Sequence, residues 1–131
     1  NLDVPEQMVE RRVKTITDSM KKDMRREGHS SRDINVQLEN MRDDIDLQAL
    51  RDVKQAWLFD EIAHREDIEV TDEELDRQIS LMAQEQGRDP QKYMEMLKAT
   101  ERLDGIRNSM RNEKVTNFLI ENASAKQKII V

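Results

Sequence analysis

The sequence predicts an all-α protein of long, solvated helices, and three observations predict it. Apolar residues recur at steps of three and four along most of the chain. Charged residues make up 38% of the 131 positions, the hydrophobic set 36% and aromatics only 3%. Turn material is scarce, with three Gly and two Pro. This is the makeup of helices with narrow apolar stripes, not of a thick globule. Low hydrophobicity with high charge also marks disordered chains, and the periodic spacing favours helices over that reading. The length suits a single domain, residues 1–131.

The elements follow in order. Asp3 and Glu6 have capping-box spacing, and Pro5 is tolerated in a first helical turn. Val9, Val13, Ile16, Met20 and Met24 then form one stripe, and Gly28 is a natural left-handed stop. Ser30-Ser31-Arg32-Asp33 can cap a second helix, striped by Ile34, Leu38, Met41, Ile45, Ala49, Val53 and Ala56. Nothing in that pattern breaks it before His64, so one helix of about 30 residues, roughly 45 Å long, is expected. Such a helix spans an elongated molecule or belongs to a projecting hairpin. Its apolar face widens at Trp57-Leu58-Phe59 and Ile62-Ala63, which reads as a packed base.

The next start signal is the most complete. Thr71 can accept from the Glu74 N–H while the Glu74 carboxylate reaches back to Thr71, a capping box. Val70 and Leu75 flank it as a hydrophobic staple, and Asp72 and Glu73 sit at the positive end of the helix dipole. Residues 68–75 therefore link two helical halves. The helix they open carries Leu75, Ile79, Met82 and Ala83 and stops at Gly87. Asp89-Pro90 starts a short helix holding Tyr93, Met94, Met96 and Leu97. Thr100 can cap a last helix carrying Leu103, Ile106, Met110, Val115, Phe118 and Leu119, ending near Asn122, with Gly105 as a local soft spot. Residues 124–131 form a tail, either frayed or a β-branched strand awaiting a partner.

Composition narrows the function. The chain has no Cys, which excludes disulfides and thiolate chemistry. No apolar run is long enough for a membrane span, and no signal peptide is visible. It opens on Asn1 close to a helix start, so it reads as an excised fragment, cytoplasmic by default. The net charge of −6 argues against whole-domain nucleic-acid binding. The charge is uneven. Residues 11–32 hold eight Lys/Arg against three acids, a local +5, and residues 60–76 hold nine acids against Arg65, a local −8. Solvated faces and dipole acids explain both. Intramolecular steering of two arms, or a basic arm that touches RNA or a ribosome, is the sharper alternative.

No catalytic constellation emerges. His29 and His64 stand 35 residues apart and match no zinc-helix spacing. Acid pairs are plentiful, but the sequence has little apolar material to build the desolvating pocket a catalytic carboxylate needs. The glycines are too scattered for a phosphate loop. No enzyme, cofactor or metal is expected. What stands out is eight methionines in 131 residues. Met is unbranched and polarizable, so promiscuous binding surfaces overuse it, although it also fills ordinary core positions. Met94 and Met96 cannot share a face. The short helix is either buried all round or partly open to a partner.

Several blocks, in order, resemble the C-terminal domain of the trigger factor family of bacterial ribosome-associated chaperones. They are Val4-Pro5-Glu6 with Met8-Val9, Leu58-Phe59-Asp60-Glu61-Ile62-Ala63, and Glu66-Asp67-Ile68-Glu69-Val70-Thr71-Asp72-Glu73-Glu74-Leu75. Gly87-Arg88-Asp89-Pro90 follows with Tyr93 and Leu97, then Ile106-Arg107, Lys114-Val115 and Phe118-Leu119-Ile120-Glu121-Asn122-Ala123. The central block is shared with related chaperone and isomerase helical domains, and the ordered set is more specific. The resemblance implies a helical body with two projecting arms that cradle unfolded or nascent polypeptides without ATP. The family's ribosome-docking loop and prolyl isomerase domain have no counterpart here, so ribosome contact is expected only through domains absent from this chain. Client contact is expected from Met82, Tyr93, Met94, Met96, Leu97, Ile106 and Met110, chosen by side-chain type and by their place in the arm-like second half. No direct nucleic acid or membrane partner is expected, and open apolar stripes leave room for weak self-association. The competing reading is a non-catalytic scaffold module with one fixed helical partner; a periplasmic relative of the chaperone class is a variant of the first.

Overall fold

The computed structural model describes residues 3–130, with side chains through Ala125. Among them are six α-helices and no strand: α1 Glu6–Arg26, α2 Ser31–Asn40, α3 Arg42–Arg65, α4 Asp72–Glu85, α5 Pro90–Ala99 and α6 Leu103–Ile130. The all-α expectation holds. The chain divides into two compact units, Asn1–Asp60 and Glu61–Val131. The connection from α3 to α4, residues 66–71, lies inside the second unit.

In the first unit α1 packs on α2. The α1 stripe faces inward as its spacing requires, with Met24 buried and Val9, Val13, Ile16 and Met20 half-buried. Ile34 of α2 and Ile45, Ala49 and Val53 of α3 complete the core. The expected Asp3 cap is not made. Pro5 takes the N-cap position, and its carbonyl receives the Met8 N–H at 3.0 Å. Ser30 does cap α2, accepting from the Asp33 N–H at 3.2 Å.

The long second helix is interrupted at Met41, where ψ swings to 3° and the N–H is shared between the Gln37 and Leu38 carbonyls at 3.1 and 3.2 Å. The apolar stripe runs straight across this joint and so conceals it. Asp43 and Asp44, first-turn residues of α3, were the local sign of a new start. The expected base packs only in part: Ala63 is buried and Phe59 and Ile62 are half-buried, whereas Trp57 and Leu58 are 42% and 44% exposed. Consecutive helical residues point about 100° apart, so a run of three large apolar side chains cannot all face one neighbour.

Arg12 of α1 is tied to Asp52 of α3 at 2.7 Å. The Arg12 guanidinium holds the Asp52 carboxyl below the usual range, with Gln48 assisting and desolvation opposing.

In the second unit α4 packs on α5. Val70, Leu75, Ile79, Ala83, Tyr93 and Leu97 form one buried cluster, and Leu103, Ile106 and Met110 bring α6 onto it. The Thr71 capping box is present: the Glu74 N–H donates to Thr71 Oγ1 at 3.1 Å and the Thr71 N–H to Glu74 Oε1 at 3.3 Å. Val70 and Leu75 are both buried, as a staple requires. Asp89 caps α5 through the Lys92 N–H at 3.1 Å.

Thr100 does not cap α6. It ends α5, and its hydroxyl donates back to the Met96 carbonyl at 2.9 Å. The chain then turns through Glu101 at φ 56°, and the Arg102 N–H closes on the Leu97 carbonyl at 2.9 Å. This is a Schellman stop, and α6 begins only at Leu103. The end of α6 also differs, since helix continues past Asn122 to Ile130. The tail expected at 124–131, frayed or a pairing strand, is therefore helical as far as Ile130, and Val131 lies outside the described residues.

Four helices end in this way. α1 and α4 place Gly28 and Gly87 at the left-handed position, whereas α3 and α5 place Asp67 and Glu101 there. A β-carbon in that conformation is unfavourable by about 1–2 kcal/mol. Gly105, by contrast, sits in α6 with nothing within 4 Å of an added Cβ. Exchanging these residues should therefore stabilise the second unit. Glu101→Gly and Gly105→Ala are each expected to add about 0.5–1 kcal/mol, read as a higher urea midpoint with an unchanged slope.

Candidate functional site

The second unit offers an open groove of about 380 Å³ between α4 and α6. Gln78 and Met82 line one wall, one turn apart on α4. Ile106 and Met110 line the other, continued along the same face of α6 by Glu113 and Asn117, with Ser109 and Lys114 at the rim. Met82, Ile106 and Met110 all touch the buried cluster and stay half-buried. A shallower groove of about 340 Å³ lies beside it, lined by Ile68 and Phe118 with Lys114 and Asn117 common to both.

Two α6 cations fasten the α3–α4 connection. Arg107 donates to the Val70 carbonyl and, at 2.5 Å, to the Asp72 carboxylate. Lys114 donates to the Glu69 carbonyl at 2.8 Å and meets Glu74 Oε2 at 2.5 Å. The carbonyls of Glu69 and Val70 precede α4 and gain their partners from α6. Lys114 is also the main reason the Glu74 carboxyl is held below its usual range, with the Thr71 N–H second. Glu61, Asp72 and Glu74 of the acidic 60–76 run thus have cationic partners within their own unit, Glu61 pairing with Arg65 at 3.0 Å.

Of the seven residues expected at the site, the structure brings Met82, Ile106 and Met110 to one groove. Met94 and Met96 are half-buried against the same core but do not line that groove. Tyr93 and Leu97 are 6% and 2% exposed and form its foundation. The Tyr93 hydroxyl accepts from the Gln86 amide at 3.3 Å, and Arg88 stands over its ring at 5.6 Å. Sequence reasoning missed the polar lining residues Gln78, Ser109 and Asn117, which give no signal until two helices meet. It also missed the fasteners. Arg107 and Lys114 lie seven residues apart on one helix face, but the 60–76 run offers nine acids, so spacing alone does not pick out their partners.

The first unit has its own groove of about 470 Å³, with Val13, Leu38 and Ile45 apolar and Lys21, Glu39, Arg42 and Asp46 charged. Among the described residues, no group of three His, Asp or Glu side chains is placed to hold a metal ion. No described helix is long and apolar enough to cross a membrane.

Comparison with known proteins agrees with this architecture. The family model described as the bacterial trigger factor protein C-terminus matches residues 1–121. The chain is 30% identical to the trigger factor of Anaeromyxobacter dehalogenans, over 95% of this chain and 29% of that protein. It is 33% identical to the trigger factor of Koribacter versatilis over 88% of this chain and 27% of that protein. In fold it is similar to trigger factor domains from Thermotoga maritima, with a TM-score of 0.70 at 21% identity, covering 92% of this chain and 72% of that one. The chain therefore spans less than a third of the length of the relatives it matches. An all-helical chain with these ordered blocks, matched along nearly all its length, belongs to the bacterial trigger factor C-terminal family.

Proposed function

We propose that this is an ATP-independent chaperone domain whose α4–α6 groove binds apolar segments of unfolded or nascent polypeptides in the cytoplasm. The observation that carries the reading is the groove itself: three partly exposed apolar side chains, two of them methionines, within a polar rim, in a member of a chaperone family. Thioether side chains reshape without strain around different partners, which suits clients with no common sequence. Contacts of this kind gain about 25 cal/mol per Å² covered, so each is weak. Exposed Leu81, Leu119 and Ile120 of the same unit offer further contacts, and several weak sites acting together raise affinity while each still releases without nucleotide. Tyr93 and Leu97 support the groove from below, and Met94 and Met96 extend its apolar surroundings. Ribosome docking and prolyl isomerisation are assigned to segments outside this chain.

The test replaces Met82 and Met110 together with serine and titrates the chain with a permanently unfolded protein. Both side chains are half-buried at the edge of the core, so helicity should persist. Binding should weaken by about tenfold, the loss of some 50 Å² of apolar contact. Undiminished binding would move the contact surface elsewhere. Tight, saturable binding to one folded protein would favour the fixed-partner scaffold.

A further inference from the structure

We propose that Met82 and Met110 form a redox-sensitive modification site, and that their oxidation to sulfoxides closes the α4–α6 groove to apolar ligands. The inference rests on the reading of that groove as a binding surface and adds its regulation. The chain holds no cysteine, so the thioethers are the sulfur available to a two-electron oxidant. They are not equally placed. Met8 and Met41 are more exposed, at 39% and 38%, but lie outside the grooves described above, and Met24 is buried, 8% exposed. Met82 and Met110 are half-buried, come from different helices and line one groove open to solvent. A peroxide can reach the sulfur there, and the product stays where a ligand would lie.

The step balances simply. Hydrogen peroxide transfers one oxygen atom to the thioether sulfur. An S–O bond forms and the O–O bond breaks; the sulfur is oxidised, the peroxide reduced, and water leaves. The sulfoxide is polar and accepts hydrogen bonds. In the free protein, water in the open groove and the amides of Gln78 and Asn117 that line it can solvate it, so the fold tolerates the change. Under an apolar ligand the same oxygen loses those partners, and a buried, unpaired polar group is strongly unfavourable. A methionine sulfoxide reductase reverses the step with a dithiol as reductant.

The experiment treats the chain with hydrogen peroxide, maps sulfoxide at each methionine by peptide mass spectrometry and follows helicity by circular dichroism. Affinity is measured before and after for two probes, a permanently unfolded protein and a naphthalene-sulfonate dye. Sulfoxide at Met82 and Met110 with retained helicity and about tenfold weaker binding is expected, with recovery after reductase treatment. In Met82→Leu/Met110→Leu the ratio of affinities before and after peroxide should be near one, whatever its starting affinity. In Met8→Leu/Met41→Leu the sensitivity should remain. Full oxidation at both sites without a change in binding would overturn the inference. So would oxidation confined to other methionines, or loss of helicity in step with the lost binding. If the untreated chain binds dye but not unfolded protein, the chaperone reading fails while the redox inference is decided by the dye. If it binds neither, both fall.

Discussion

Replacing Ile79 by alanine is expected to destabilise the second unit by about 3–4 kcal/mol. Ile79 is 1% exposed at the centre of the cluster that joins α4 to α5, so the truncation leaves a cavity enclosed by Leu75, Tyr93, Leu97 and their neighbours. A unit of this size has only several kcal/mol of stability to lose. Its thermal transition should fall by well over about 10 °C. Leu81→Ala on the same helix is the control. Leu81 is 49% exposed, and its loss should change stability by less than about 0.5 kcal/mol. Urea titration followed by circular dichroism reads both. If Ile79→Ala unfolded no more readily than Leu81→Ala, the α4–α5 core described here would be wrong. The comparison also separates two ways of losing binding: Ile79→Ala should abolish it by melting the groove, Met82→Ser/Met110→Ser while leaving helices intact.

Removing the two α6 fasteners should give the next largest effect. Arg107→Met leaves the Val70 carbonyl without its side-chain donor and is expected to destabilise by about 1–1.5 kcal/mol, chiefly through that carbonyl, because the Asp72 carboxylate is 90% exposed and water replaces its partner. Lys114→Met should have a smaller effect that depends on pH. The folded Glu74 carboxyl titrates below its ordinary value, chiefly because Lys114 donates to it. Its contribution is therefore fully present above the ordinary glutamate range and is lost as pH falls through the depressed folded value. The stability gap between the parent chain and Lys114→Met should be widest at neutral pH and should narrow in acid. Part of the acid sensitivity persists in the variant, because the Thr71 N–H still favours the carboxylate. A gap that stayed constant with pH would mean that Lys114 acts only through the Glu69 carbonyl.

The sequence carried the local parts of this fold because local chemistry decides them. The capping box at Thr71, the Asp89-Pro90 start and the stops at Gly28 and Gly87 depend on residues within one turn of each other. Inference failed where two acceptable local signals competed. Thr100 is a good cap residue, yet the left-handed Glu101 after it ends α5 and delays α6, because a Schellman turn satisfies the Leu97 carbonyl before a cap can form. The stripe through Met41 is continuous on both sides of the joint, so periodicity alone could not reveal it.

By itself, then, the sequence determined the all-α class, most helix boundaries, the inward stripes of α1 and α4 and the resemblance to a chaperone family. Those follow from repeating apolar positions and from caps, which act over three or four residues. Only the tertiary structure decided which apolar residues a groove exposes. Tyr93 and Met94 are adjacent and both apolar, yet one is buried and the other half-exposed. Met82 and Met110 meet across a groove although 28 residues of chain separate them. Exposure is set by how much of one helix face its neighbour covers, and that depends on the packing of two helices, not on either sequence alone.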